Sequence, residues 1–247
     1  MAKPIQISGE IDFEKLLKRL SDDIVFAPAF LRIEKQLGEN FGKYSDEINQ
    51  AGFFWSMVFT AVGETGMSRL ARIYDQEKNA LSLRTLLATI EANKYLFDDN
   101  AVKKRVNPSN PSFAQSIVPG SHLPDSKTLR HDLALVSSND PLVNKIVFWR
   151  NNFGAHISSK QTMKKNLSDE KLPTQDEAFK LCDRAFDVFN RYSSLFRAVS
   201  LLEVILGEKG SMDSVFRHLR SGLAAGRKAR DEAAEQFLKD MKIGKQA

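Results

Sequence analysis

Apolar residues recur at helical spacing along almost the whole chain, while the β-branched alternation that a strand needs is scarce. That pattern restricts the chain to an all-α fold. A first helix carries Ile11, Phe13, Leu16, Leu17 and Leu20 on one side, and a second, with Pro28 early in it, is expected to run to about Leu37. After a polar connector with Gly38 and Gly42, residues 53–74 read as a long central helix rich in large side chains. Its Phe53, Phe54, Trp55 and Phe59 are expected in the core. A shorter helix follows over 83–95. From 98 to 126 the periodicity stops, and Pro108, Pro111, Pro119, Pro124 and Gly120 imply a long Pro-rich loop insertion.

Helical signal resumes at about Ser126. Asp140 followed by Pro141 is a cap and first-turn pair for a helix beginning there. Thr174 with Glu177 three residues later is a capping box that opens a long helix, expected to end near Gly207. A last helix over 212–242 is expected to weaken around Gly222 and Gly226. The organisation read from this pattern is an N-terminal helical segment (1–22), a helical bundle (23–207) and a basic C-terminal helical extension (208–247).

Composition narrows the chemistry. With 247 residues, 42% of them hydrophobic, the chain can bury a real core. Its single cysteine, Cys182, excludes an intramolecular disulfide framework, fits a reducing cytoplasm and reads as a small core residue. Residues 1–8 lack the apolar run of a signal peptide, and no stretch approaches the ~20 apolar residues that span a bilayer. His-Glu-x-x-His, paired cysteines, glycine-rich phosphate loops and Gly-x-Ser-x-Gly are all absent. Neither a metal nor a cofactor is therefore expected. A net charge of +5 suits a polyanionic partner.

Residues 141–159 gather the chemistry-bearing side chains Arg150, Asn151, Asn152 and His156 within two turns. Arginine grips phosphoryl oxygens bidentately and stays charged, and imidazole, with a reference pKa of ~6.5, exchanges protons near neutrality. At about 100° per residue, Asn152 and His156 share a face with Lys145 and Lys160, whereas Arg150 points roughly 120° away from His156. Either the segment bends near Gly154 or a second copy of the chain supplies the facing half of the site. Lys103, Lys104 and Arg105, expected in the long loop, are further candidates for substrate contact. Arg217, Arg220, Arg227, Lys228 and Arg230 are interleaved with acids and read as a solvated face. Arg130 and His131 are adjacent, so they diverge by about 100° and form no pair.

The string Arg150-Asn151-Asn-Phe-Gly-Ala-His156 resembles the signature of the HEPN superfamily, helical-bundle proteins that include toxin and antiphage ribonucleases. The helix over 53–74, running into Ser-Arg-Leu-Ala-Arg-Ile-Tyr-Asp and Leu81-Ser-Leu-Arg-Thr-Leu-Leu, resembles the AbiU-type branch, named for phage abortive infection; the likeness spans about 24–206. It implies an RNA substrate, with Arg150 and His156 as catalytic pair and Asn151 assisting; a homodimer is expected from the divergence of those two side chains, and a neutralising partner protein is left open. Asn152, Lys145, Lys160, Lys103, Lys104 and Arg105 are the accompanying candidates for binding RNA. Ser158 stands where some relatives carry a modifiable tyrosine, so that mode of regulation is not carried over. A non-catalytic helical module that binds RNA or protein through the same groove is the alternative.

Overall fold

The computed structural model describes residues 2–106, 122–154, 171–198, 200–201 and 208–243. Among them are nine α-helices and no strand: α1 (Glu10–Asn40), α2 (Ser45–Asn49), α3 (Gly52–Ile73), α4 (Leu83–Ala92), α5 (Asp99–Val106), α6 (Ser126–Leu135), α7 (Pro141–Trp149), α8 (Gln175–Arg197) and α9 (Glu208–Ile243). A 3₁₀ turn, Lys94–Phe97, follows α4. The chain divides into two compact units, Met1–Leu31 with Val62–Val204, and Arg32–Ala61 with Ile205–Ala247.

In the first unit, Phe13, Leu17, Leu20, Ile24, Ala27 and Leu31 of α1 fall three and four residues apart, so they form one stripe, and all are buried. The stripe belongs to one core with Leu70 and Ile73 of α3, Leu86 and Ile90 of α4, Leu129 of α6, Ile146 of α7 and Leu181, Phe189 and Phe196 of α8. Phe13 meets Phe97 and Phe196 edge to face, at centroid separations of 5.7 and 4.7 Å. Sequence reasoning broke this element before Pro28, yet α1 runs through it unbroken. A proline inside a helix costs about 3 kcal/mol. Burial of Ile24 and Leu31 on either side returns about 1.5–3 kcal/mol each, which offsets it.

Polar side chains set the helix ends. Ser82 and Thr85 form a capping box on α4, Asp125 caps α6, Asp140 caps α7 with Pro141 behind it, and Thr174 with Glu177 boxes α8. Helix α8 stops at Arg197, well before Gly207, because Ala198 turns left-handed at φ 53° and the chain folds back onto Asn190. Asn190 accepts from the Leu201 N–H at 2.6 Å and donates to its carbonyl at 3.0 Å. Inside the core the Tyr192 hydroxyl donates to the fully buried Asp132 at 2.8 Å, and Arg191 reaches the same carboxylate at 3.3 Å.

Residues 99–106, expected in the long loop, are helical. Asp98 accepts from the Asn100 N–H at 2.9 Å, Val102 is buried, and the Arg105 guanidinium lies 3.7 Å over the Phe196 ring while donating to the Phe196 and Leu96 carbonyls. Three adjacent basic residues in an eight-residue helix leave almost no apolar period to read. Residues 107–121, which hold most of the Pro-rich insertion, lie outside the described residues.

The second unit has a small core. Tyr44 stacks on Phe216 at 4.8 Å, Leu37 is buried beside them, and Trp55, Val58, Phe59 and Met212 pack against the group. Arg220 lies over the Tyr44 ring and pairs with the buried Glu47 at 2.5 Å. Phe53 and Phe54 were expected in the core but are 83 and 57% exposed, as is Met57 beside them at 55%. The first half of α3 is apolar on every side, and this unit covers only the side bearing Trp55, Val58 and Phe59. Helix α9 runs through Gly222 and Gly226 without a break.

The glycines of α3 and α9 differ in what surrounds them. A Cβ at Gly66 would come within 2.9 Å of the Leu31 side chain and 3.2 Å of its backbone nitrogen, whereas one at Gly222 meets nothing within 4 Å. Gly66→Ala should therefore destabilise the fold by about 1–3 kcal/mol despite alanine's better helix propensity, and Gly222→Ala should stabilise it by up to about 1 kcal/mol. Urea denaturation of the two variants checks both signs.

Candidate functional site

The motif helix α7 is fixed at its start. Asp140 accepts from the Leu142 and Val143 N–H groups at 2.9 and 3.1 Å, and Arg184 of α8 joins the Asp140 carboxylate at 3.0 Å to the Leu135 carbonyl at 2.9 Å. Val143 and Ile146 are buried, so one face of the helix is committed to the core. The α-helical pattern then gives way to a π turn over Arg150–Gly154. Such a turn holds one extra residue per hydrogen-bonded ring, and it re-aims the side chains that follow relative to a straight helix.

Arg150 opens this turn. Its Nη1 donates to Asp75 Oδ1 at 2.8 Å, where Asp75 lies just beyond the end of α3 and also accepts from the Glu77 N–H at 2.8 Å. The carboxylate is nearly buried and the arginine side chain is 27% exposed. One of the five guanidinium N–H donors is spent on Asp75, and the side chain makes no other hydrogen bond among the described residues. Asn151 is exposed. Asn152 is buried; its Nδ2 donates to the Phe148 carbonyl at 2.5 Å, the acceptor that an α-helix would give to its own N–H. Its Oδ1 is buried with no hydrogen-bond partner among the described residues. Leaving such an acceptor unpaired costs about 1–3 kcal/mol, which marks the position as one that a donor would stabilise.

His156 and Lys160 lie outside the described residues. Of the other basic candidates, Lys145 and Arg105 are engaged within the fold. Lys145 donates to both oxygens of Glu177, at 2.7 and 2.9 Å, and so ties α7 to the capping box of α8. Lys145 and Thr174 together hold the Glu177 carboxyl below the usual carboxylate range. Lys103, Lys104 and Arg105 sit on α5, where Arg105 packs on Phe196 at the other end of α8. Glu177 and Phe196 are nineteen residues apart on one helix, about 28 Å by its rise. The structure thus places Lys145 near the motif helix and Arg105 at a distant end.

Asp75 is the site residue that sequence reasoning did not assign. It ends the Ser-Arg-Leu-Ala-Arg-Ile-Tyr-Asp string, but nothing in that string points to a partner 75 residues downstream. His122 likewise finds a distant carboxylate, donating from Nδ1 to Asp99 Oδ1 at 3.0 Å. Among the described residues no group of three or more histidine, cysteine, aspartate or glutamate side chains is arranged to hold a metal ion. No described helix is long and apolar enough to cross a membrane.

An all-α chain with an arginine-bearing π turn braced by a buried carboxylate is consistent with the HEPN class. The AbiU2 family model, HEPN_AbiU2, matches residues 10–204, most of the chain, and the protein belongs to that family of abortive-infection HEPN domains. The match begins at the first residue of α1 and leaves α9 outside it. No curated protein and no solved structure matches the chain.

Asp75→Asn keeps the shape but removes the charge facing Arg150, and should lower stability by about 1–3 kcal/mol, read as a shift in the urea midpoint. The Lys145 pair predicts a pH effect. Because the folded-state pKa of Glu177 is depressed, the stability it contributes is complete above the unfolded value of ~4.3 and is lost as pH falls through the folded one. Glu177→Gln should therefore flatten the acid limb of a thermal-midpoint profile while leaving the neutral-to-alkaline limb parallel to wild type.

Proposed function

We propose that the protein is a metal-independent endoribonuclease of the HEPN type, an abortive-infection effector that cuts RNA through a site completed in a homodimer. The observation that carries this reading is Arg150, held on a π turn by one bond to Asp75 with its other donors unspent among the described residues, in a chain of the AbiU2 family. Bracing by a carboxylate orients a guanidinium without consuming the edge that grips phosphate. Asn151 is exposed beside it.

In this mechanism His156, from one or both subunits, takes the proton of the ribose 2′-hydroxyl as its oxygen attacks phosphorus, and a proton is returned to the leaving 5′-oxygen as the P–O5′ bond breaks. Proton transfer of this kind is worth about 10²- to 10⁴-fold in rate. Arg150 stabilises the charge developing on the phosphoryl oxygens, and Asn151 orients the phosphate. The product is a 2′,3′-cyclic phosphate. The protein acts in the cytoplasm on this reading, and a partner protein can neutralise it by covering Arg150.

A second reading has one observation in its favour. An arginine paired with a buried aspartate is also what a packing arginine makes, and then the groove binds RNA or protein without cutting. Expression of wild type and the Arg150→Ala, His156→Ala double variant in a bacterial host separates the two. Growth arrest by wild type alone, with cleavage of purified RNA that persists in excess EDTA, is the expected result. Arg150→Lys should bind RNA within about twofold of wild type but cleave about 10²-fold more slowly, since lysine lacks the planar fork. Light scattering should give a dimer. Equal cleavage by wild type, Arg150→Lys and the double variant, with weakened RNA binding in the variants, would establish the binding module instead.

A further inference from the structure

Three guanidinium groups in the first unit converge on one carboxylate. Asp23 of α1, 4% exposed, accepts from Arg69 Nη1 at 2.9 Å and from Arg72 through two bonds, Nε to Oδ2 at 2.9 Å and Nη2 to Oδ1 at 2.7 Å. Arg19, one turn earlier on α1, stands 3.9 Å from the same carboxylate, beyond hydrogen-bond reach. Counting Arg150 with its partner Asp75, four arginines meet two carboxylates here, so this corner carries an excess of two positive charges.

Packing accounts for only part of the cluster. Arg69 has a structural role: its guanidinium lies over the Phe26 and Phe30 rings at 5.4 and 5.5 Å, and its Nε is buried without a partner among the described residues. Arg19 and Arg72 are different. Their side chains are 59 and 46% exposed, and both line a cavity of about 210 Å³ that also includes Asp23 and Asp75 above Leu20 and Leu81. Ordering two long basic side chains beside each other costs entropy and repulsion that the fold does not need. A bound anion would repay both costs.

The cavity is also placed next to the candidate site, since Asp75, in its wall, is the carboxylate that holds Arg150. A cation is disfavoured by the excess charge. A lone small anion leaves most of the volume unused, because a water molecule takes only about 30 Å³. A chain of phosphates passing from Arg150 into the cavity meets one fixed positive group at each end. We propose that Arg19 and Arg72 form a phosphate-binding subsite that holds the RNA backbone beside the phosphodiester bound at Arg150. This rests on the RNA reading above for the source of the phosphate, though not on cleavage. Arg72 approaches Asp23 in a fork that fixes its orientation, and Arg19, held only loosely, swings onto the arriving phosphate.

The test uses the full chain and a fluorescein-labelled single-stranded 2′-O-methyl RNA, which lacks the attacking hydroxyl and so cannot be cut. Binding is followed by anisotropy over a salt series for wild type, Arg19→Ala, Arg19→Glu and Lys228→Glu, the last on the exposed face of α9. Arg19→Glu should weaken binding at least about tenfold, and Arg19→Ala should lower the slope of log K against log salt by about 0.7, one phosphate contact on a single strand. Lys228→Glu should bind like wild type, and thermal midpoints should confirm that the Arg19 variants are folded. Equal binding by wild type and Arg19→Glu overturns the proposal, as does an equal loss in Lys228→Glu. So does competition by inorganic phosphate or a mononucleotide as effective as that by RNA, which would make the cavity a free-anion site. If Arg19 controls binding while unmodified RNA is never cut, the subsite stands and the nuclease reading fails.

Discussion

The first unit depends on the apolar stripe of α1. Phe13, Leu17, Leu20, Ile24, Ala27 and Leu31 present one continuous surface to the helices of that unit, and their burial keeps α1 unbroken through a proline that would otherwise end it. Because the stripe is only as wide as one face, α1's other positions are left for polar work. Asp23 sits at the border, buried enough to need partners and close enough to α3 to find Arg69 and Arg72. Charge clusters of this kind occur where a core ends, since an aspartate there can be desolvated without being isolated from arginines that still reach water.

The end of α3 shows the same logic applied to the candidate site. Asp75 is fixed by its own backbone turn and by the Glu77 N–H, so its carboxylate is a rigid receptor, and Arg150 is delivered to it by a helix whose start is pinned by Asp140 and Arg184. Between these two fixed points the π turn absorbs the mismatch. It departs from a straight helix between Arg150 and Gly154, the glycine at which a bend was expected. The buried, unpaired Asn152 oxygen is the local cost of that departure.

Much of this was legible in the residues. Caps were read correctly at Asp140 and Thr174, because a side chain that accepts an N–H two or three residues ahead leaves its signal in adjacent positions. The all-α class and the family came from periodicity and a short motif. What escaped were features decided by distant partners. Phe53, Phe54 and Met57 have core composition but no helix of their unit to cover them, and no window of sequence records how much surface a small unit can supply. Helix α5 depends on Phe196, about ninety residues away, and the end of α8 depends on Asn190 catching Leu201. Asp75 was in plain view as a residue, but its role as the brace of Arg150 exists only in three dimensions.

The distribution of rare side chains gives the molecule built-in reporters. Its two tryptophans fall one in each unit, Trp149 against the first core and Trp55 against the second, while the sole cysteine, Cys182, is buried in the first. Indole emission from a single-tryptophan variant therefore follows one unit at a time, and the rate at which a thiol reagent reaches Cys182 follows opening of the other core without any label being introduced. With Trp55 as the one remaining tryptophan, its emission and the reactivity of Cys182 show whether the two cores melt together or in sequence.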